Sequence, residues 1–338
     1  MKKIFIRSPY FIQINEANQL GSKVELYLYN KGNAVPILPT YVLSKKAATT
    51  TQLENTYNIA NYAKEYINPI KTYTTTVPVE EDVQTWAYCI VKRYAELTLG
   101  VYSLLSTETF VCLNGYTDYV GGYNNSETIE VLPLFNTDIK KYVKDYISTY
   151  VNVFFEPANY DVDNGTTVET FNITEPTMYR ILISSNEVTI NQNGEGQLYL
   201  IKSEELCEPK YTPINCTFIN RFGGWQYLTF FKANLQSIET TNKDFNLLPS
   251  SVNYNVFQGQ KRTFNQQGKQ KIKCNTGWVD ENYFDLIQDL LMSEVVLLDN
   301  KPVIVKSTSS DYKTHLKDRN INYEIEFEFN YGLINDVI

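Results

Sequence analysis

The clearest periodicity lies near the C-terminus. Ile321, Tyr323, Ile325, Phe327 and Phe329 alternate with Asn322, Glu324, Glu326, Glu328 and Asn330, a period of two that predicts a strand with one apolar and one polar face. Upstream, Tyr283, Phe284, Ile287, Leu290 and Leu291 recur at helical spacing. Asp280 is placed to cap that helix, and Asp280 and Glu281 favour its positive end, so a helix is expected from Asp280 to Ser293. Between helix and strand, the apolar runs Val295–Leu298 and Val303–Val305 flank Asp299-Asn300-Lys301-Pro302, the pattern of a β-hairpin. The C-terminal region, 207–338, therefore reads as an α+β module of strand, helix, hairpin and strand.

The rest of the chain is patterned for strands. Region 1–80 carries short strand signals at Lys3–Ile6 and Val24–Tyr29. Its segment from Tyr57 to Ile67 reads equally as a short helix or an amphipathic strand. The Thr-rich segment Thr72–Pro78 marks an expected boundary. Region 81–206 shows strand candidates at Val83–Tyr94, Val101–Leu105, Glu108–Leu113, Thr128–Leu134, Tyr146–Phe155, Thr167–Ile173, Met178–Ile183 and Gln197–Ile201. Turn signals such as Asn114-Gly115, Asn164-Gly165 and Asn193-Gly194 separate them, which suits an antiparallel β-sandwich. The expected fold class is mainly β with a minor α+β part, in several domains.

Composition sharpens this picture. The 338 residues allow two or three domains. Tyr alone occupies 27 positions, and its ring and hydroxyl together suit half-buried strand faces and protein–protein contacts. The net charge of -8 argues against general duplex binding, which Lys and Arg drive by displacing counterions. The 5 cysteines include no CxxC pair and read as reduced, buried thiols of a protein made in a cytoplasm. The opening Met1–Ile6 meets Arg7 at once, so no signal peptide is expected. No apolar run reaches membrane-spanning length.

Catalytic chemistry has few parts to work with. His315 is the sole histidine and stands in a highly charged segment; no GxSxG elbow and no clustered metal ligands accompany it. The adjacent carboxylates Glu80-Glu81 and Glu204-Glu205 are of a kind expected by chance in so acidic a chain. No catalytic residue, cofactor or metal is assigned, and a non-enzymatic role is expected.

Two segments remain as candidates for contact. In Asn220–Phe230, paired glycines between aromatic runs permit a tight turn or let another backbone approach; Arg221, Phe222, Trp225 and Tyr227 are candidate interface residues, with burial in the subunit's own core as the other reading of Trp225. Lys269, Lys271 and Lys273 share one face of an expected strand, with the same period as Glu324, Glu326 and Glu328. Neighbouring strands would pair these rows across the sheet; the competing reading is contact with a phosphate backbone.

Three blocks of this chain resemble tail proteins of double-stranded DNA bacteriophages of Bacteroidetes hosts, including the crAss-like group. They are Arg7-Ser8-Pro9-Tyr10 with Val24–Tyr29, the block Asn220–Phe230, and the module from Thr276-Gly277-Trp278 to Phe329. The resemblance implies a virion structural subunit, synthesised in the host cytoplasm and placed in the tail. It would form a closed homo-oligomeric ring or hub around the DNA channel, dock other tail or portal-proximal proteins, and lie near packaged DNA without reading it. The alternative is a peripheral host-attachment module in which Trp86, Trp225 and Trp278 stack on sugars.

Overall fold

The computed structural model describes residues 1–49, 51, 54–69, 79–117, 131–133, 141–143, 150–165, 167–183, 187–205, 210–248, 255, 257, 259–279, 283–307 and 321–333, and every statement below concerns these residues. The architecture is mainly β, with two helices among the described residues. His315 and Asp280 fall outside them, as does the segment Thr72–Pro78.

The first sheet is built from β1 (Lys2–Phe5), β3 (Gly21–Tyr29), β4 (Tyr41–Lys46), β7 (Trp86–Thr98) and β8 (Val101–Leu113), in the order β1-β8-β7-β3-β4. A ribbon of β2 (Phe11–Asn15) and β5 (Glu54–Asn58) and the short helix α1 (Ala60–Tyr66) complete this part. Ile12 and Ile14 alternate inward from the ribbon and meet Val24, Leu26, Cys89 and Phe110 of the sheet in one core. The segment that reads as helix or strand thus contains both, β5 running into α1. The expected division at residue 80 does not separate sheets: β7 pairs with β3 along Gly21–Tyr29, and β8 pairs with β1. The strand candidates from Val83 to Leu113 accordingly belong to the first sheet and not to the sandwich. Pairing partners distant in sequence leave no local periodicity, so the expected boundary is misplaced.

Two further sheets face one another. One orders β6 (Val79–Asp82), β14 (Thr177–Leu182), β11 (Tyr150–Phe155) and β9 (Val131–Pro133) as β6-β14-β11-β9. The other orders β10 (Lys141–Val143), β16 (Gly196–Glu205), β15 (Glu187–Gln192), β12 (Ala158–Asp163) and β13 (Val168–Ile173) as β10-β16-β15-β12-β13. Val153, Phe155 and Ile181 of the first sheet and Tyr160, Val162, Val188 and Ile190 of the second share one core, as in a sandwich.

The last sheet has seven strands: β17 (Ile214–Ile219), β18 (Trp225–Phe230), β19 (Leu235–Asn246), β20 (Lys261–Asn275), β21 (Val296–Leu298), β22 (Lys301–Val305) and β23 (Glu324–Gly332), ordered β18-β17-β21-β22-β23-β20-β19. Helix α2 (Tyr283–Leu291) lays Leu286, Ile287 and Leu290 on its apolar face, and each such side chain contributes about 1.5–3 kcal/mol by leaving water. The β21–β22 turn has φ +45 at Asp299 and +65 at Asn300, the left-handed pair that a tight two-residue hairpin requires. Among the described residues no helix is long and apolar enough to cross a membrane.

A fourth apolar cluster joins the parts. Trp86, Tyr88, Val111 and Leu113 from the first sheet meet Phe154 and Met178 from the sandwich, with Phe222 packed against them. Trp86 and Phe154 stand edge to face at 5.5 Å, and the buried Lys3 pairs with Glu156 at 2.6 Å across the same boundary.

Candidate assembly interface

Asn220–Gly224 forms the turn between β17 and β18, with Trp225–Tyr227 opening β18, and its own sequence fixes it. The buried Asn220 accepts through Oδ1 from the backbone N–H of Phe222 (3.0 Å) and of Gly224 (3.1 Å) and donates through Nδ2 to Gln226 Oε1 at 2.8 Å. Gly223 takes φ +88, a left-handed conformation natural to glycine. The turn presses against the segment that follows β8: the Tyr116 N–H donates to the Arg221 carbonyl at 2.7 Å.

The four candidate interface residues lie close together, one of them buried and three half-buried. Trp225 is only 1% exposed. Phe222 packs into the junction cluster, and the Arg221 guanidinium lies 4.8 Å from its ring centre. Burial pushes the Tyr227 hydroxyl well above the usual tyrosine range; the Arg180 charge opposes that shift and the Tyr150 and Asp82 groups add to it. Trp225 is thus buried in the chain's own core, while Arg221, Phe222 and Tyr227 are half-buried beside it. The glycine pair signals a close backbone approach, and the approaching backbone proves to be Asn114–Tyr116.

Arg7 reinforces the same junction. Its guanidinium lies 4.9 Å from the Tyr116 ring, donates to the Met292 carbonyl at the end of α2, and pairs with Glu294 at 3.6 Å. A cation there satisfies the helix's negative end. Beside it, Asp289 is buried, and its carboxyl is pushed up to about 6 by that burial, against the lowering influence of Arg221 and of the Tyr116 hydroxyl.

The lysine row lies where its alternation implies. β20 pairs antiparallel with β23, placing Lys271 opposite Glu328 and Lys273 opposite Glu326. Lys269 meets Glu328 at 3.1 Å, Lys273 meets Glu324 at 2.5 Å, and Lys271 turns the other way to Glu239 on β19 at 2.6 Å. Glu328, with a side chain 8% exposed, also receives Lys306 at 3.3 Å. The hydrogen bond from Lys269 chiefly holds its carboxyl below the usual range. All three lysines thus have a carboxylate partner inside the sheet.

Sequence reasoning misses the most exposed element of the molecule. β19 and β20 continue as a two-stranded arm beyond Lys269, where the pairing of β20 with β23 ends. Every residue of β19 is exposed. Phe245 and Phe264 stack edge to face at 5.6 Å on the arm, and beyond them Leu248 is 90% and Phe257 95% exposed. The Lys261–Asp244 ion pair (3.0 Å) and the left-handed Asn265 (φ +49) at the bulge past Thr241 shape it. With neither face buried, LQSIETTNKDFN carries no apolar alternation. The one signal in the sequence is the acid-free run from Phe245 to Val279, which registers only as charge.

No known protein family matches the chain, and no curated protein matches it significantly. Among the described residues, no group of three or more histidine, cysteine or acidic side chains is arranged to hold a metal ion.

Proposed function

We propose that this chain is a structural subunit of a bacteriophage tail, repeated in a ring or hub that joins neighbouring tail components around the DNA channel. The observation that carries this reading is the β19–β20 arm: a long ribbon with apolar side chains on a fully exposed strand and apolar residues past its end. A two-stranded ribbon is marginal alone in water and gains stability when another surface covers it. The three blocks that carry the tail-protein resemblance also converge in space. The Arg7 N–H donates to the Gly115 carbonyl at 3.0 Å, Arg221 accepts from Tyr116, and Arg7 reaches the end of α2.

The host-attachment alternative loses two of its three tryptophans to burial. Trp86 and Trp225 are each 1% exposed, while Trp278 is 61% exposed, and one isolated indole makes a poor sugar platform. The test is electron microscopy and light scattering of the purified full-length protein, together with mass spectrometry of purified particles. Closed rings and a constant copy number per particle are expected. A strictly monomeric protein that binds cell-surface glycan would replace this reading with the alternative.

A further inference from the structure

A cavity of about 370 Å³ opens to solvent where β23 parts from β20 at the foot of the arm. The ladder itself makes it. Lys271 pairs with Glu328 but Lys269 pairs with Gly332, so two steps along β20 answer four along β23 and Phe329–Tyr331 are thrown into a bulge. Bulges re-aim side chains and recur next to active sites, and this volume lies within the range of small-molecule sites.

Charge on the cavity wall is already balanced. Lys269 meets the buried Glu328 at 3.1 Å, and the other Glu328 oxygen receives Lys306 at 3.3 Å. The amides of Gln267 and Asn330 line the same cavity, and an amide both donates and accepts hydrogen bonds. Beside them the Phe329 and Tyr331 rings lie 5.5 Å apart, with Tyr331 42% exposed. A purely apolar ligand would strip water from the amides without replacing its hydrogen bonds, and a phosphate would have to draw Lys269 away from Glu328. A neutral sugar suits both halves of the wall: its hydroxyls donate and accept, and one face of its ring is made of C–H groups that pack on an aromatic ring.

We infer that this bulge cavity binds one neutral sugar unit, packed on Tyr331 and hydrogen-bonded by Gln267 and Asn330. The site uses none of the tryptophans and does not depend on the assembly reading above. A single site of this size and polarity is weak, with a Kd on the order of 1 mM. Where copies of the chain repeat in one particle, such sites act together on a surface that displays many sugars.

The test is saturation-transfer NMR of the full-length protein with glucose, galactose, mannose and N-acetylglucosamine, each with and without inorganic phosphate as competitor. At least one sugar should bind, and phosphate should not displace it. Tyr331→Ala and Asn330→Ala, both at exposed positions, should each weaken binding by about tenfold, the loss of one such contact, with circular dichroism and melting temperature unchanged. Tyr331→Phe should keep the ring packing and most of the affinity, and Trp278→Ala should bind like the parent. Absence of binding to all four sugars, displacement by phosphate, or binding that survives Tyr331→Ala in a folded protein would each overturn the site. None of these results bears on ring formation, which sedimentation of the same samples reads separately.

Discussion

Gly223 stands so close to Asn114 that a Cβ at position 223 would lie 2.7 Å from the Asn114 backbone nitrogen. Two backbones far apart in sequence meet there without an intervening side chain, and the left-handed φ of Gly223 points the turn into that contact. Gly223→Ala should therefore cost about 2–4 kcal/mol, combining left-handed strain with a clash that the backbone of Asn114 cannot easily relieve. Denaturant unfolding measures this directly. A loss under about 1 kcal/mol would mean that the junction is looser than described.

Asp289 gives a second prediction, with a definite sign. Its carboxyl is pushed up to about 6, above its value in the unfolded chain, so folding favours the protonated form. The associated stability is fully present below about pH 4 and is lost as pH rises through about 6. The groups facing it are Arg221, Tyr116 and Asp285. Asp289→Asn should match the parent near about pH 4 and exceed it at about pH 7 by on the order of 2–3 kcal/mol. Denaturant midpoints at a series of pH values check this; a constant difference across the range would remove the buried carboxylate as its cause.

The charge ladder predicts coupling between Lys269 and Glu328. Charge reversal at either position should lower stability, and the double reversal should regain a few tenths of a kcal/mol through the restored pair. Glu328 also holds Lys306, so Glu328→Lys should cost more than Lys269→Glu. Its depressed carboxyl adds stability that is present above the unfolded pKa and lost as acid protonates it. Strictly additive effects in a double-mutant cycle would show that the facing rows do not interact.

The tryptophans should separate cleanly. Trp86→Ala and Trp225→Ala remove buried rings and should each cost about 3–5 kcal/mol, whereas Trp278→Ala should change stability by under about 0.5 kcal/mol. Thermal melts of the three variants provide the comparison. Loss of glycan binding in a folded Trp278→Ala protein would argue for host attachment.

The elements legible in the sequence are those whose neighbours lie nearby. Asp299 and Asn300 announce the β21–β22 turn because the turn needs two left-handed residues and both tolerate that conformation. Tyr283, Ile287 and Leu290 betray α2 through the face it buries, and Ile325 and Phe327 betray β23 in the same way. The partnership of β8 with β1 has no such signature, since Lys2 and Phe110 sit in ladder register although far apart along the chain. The arm is hidden for the opposite reason: β19 buries nothing, so burial imposes no pattern on it. At the candidate site, the glycines of Asn220–Phe230 correctly signal a close approach, but nothing local says that the partner is the chain itself.

The lateness of the Asn220–Gly224 turn has a bearing on biosynthesis. β1 leaves the ribosome before β8 yet finds its partner only after Leu113 has emerged, and Asn114–Tyr116, just past β8, stays uncovered until Gly223 has followed. Maturation therefore cannot proceed region by region from the N-terminus; a nascent or prematurely terminated chain keeps Asn114–Tyr116 open. Interrupted translation products of this kind lack the finished seam that holds Arg7, Tyr116 and Arg221 together, which makes completeness of the polypeptide a condition of its final shape.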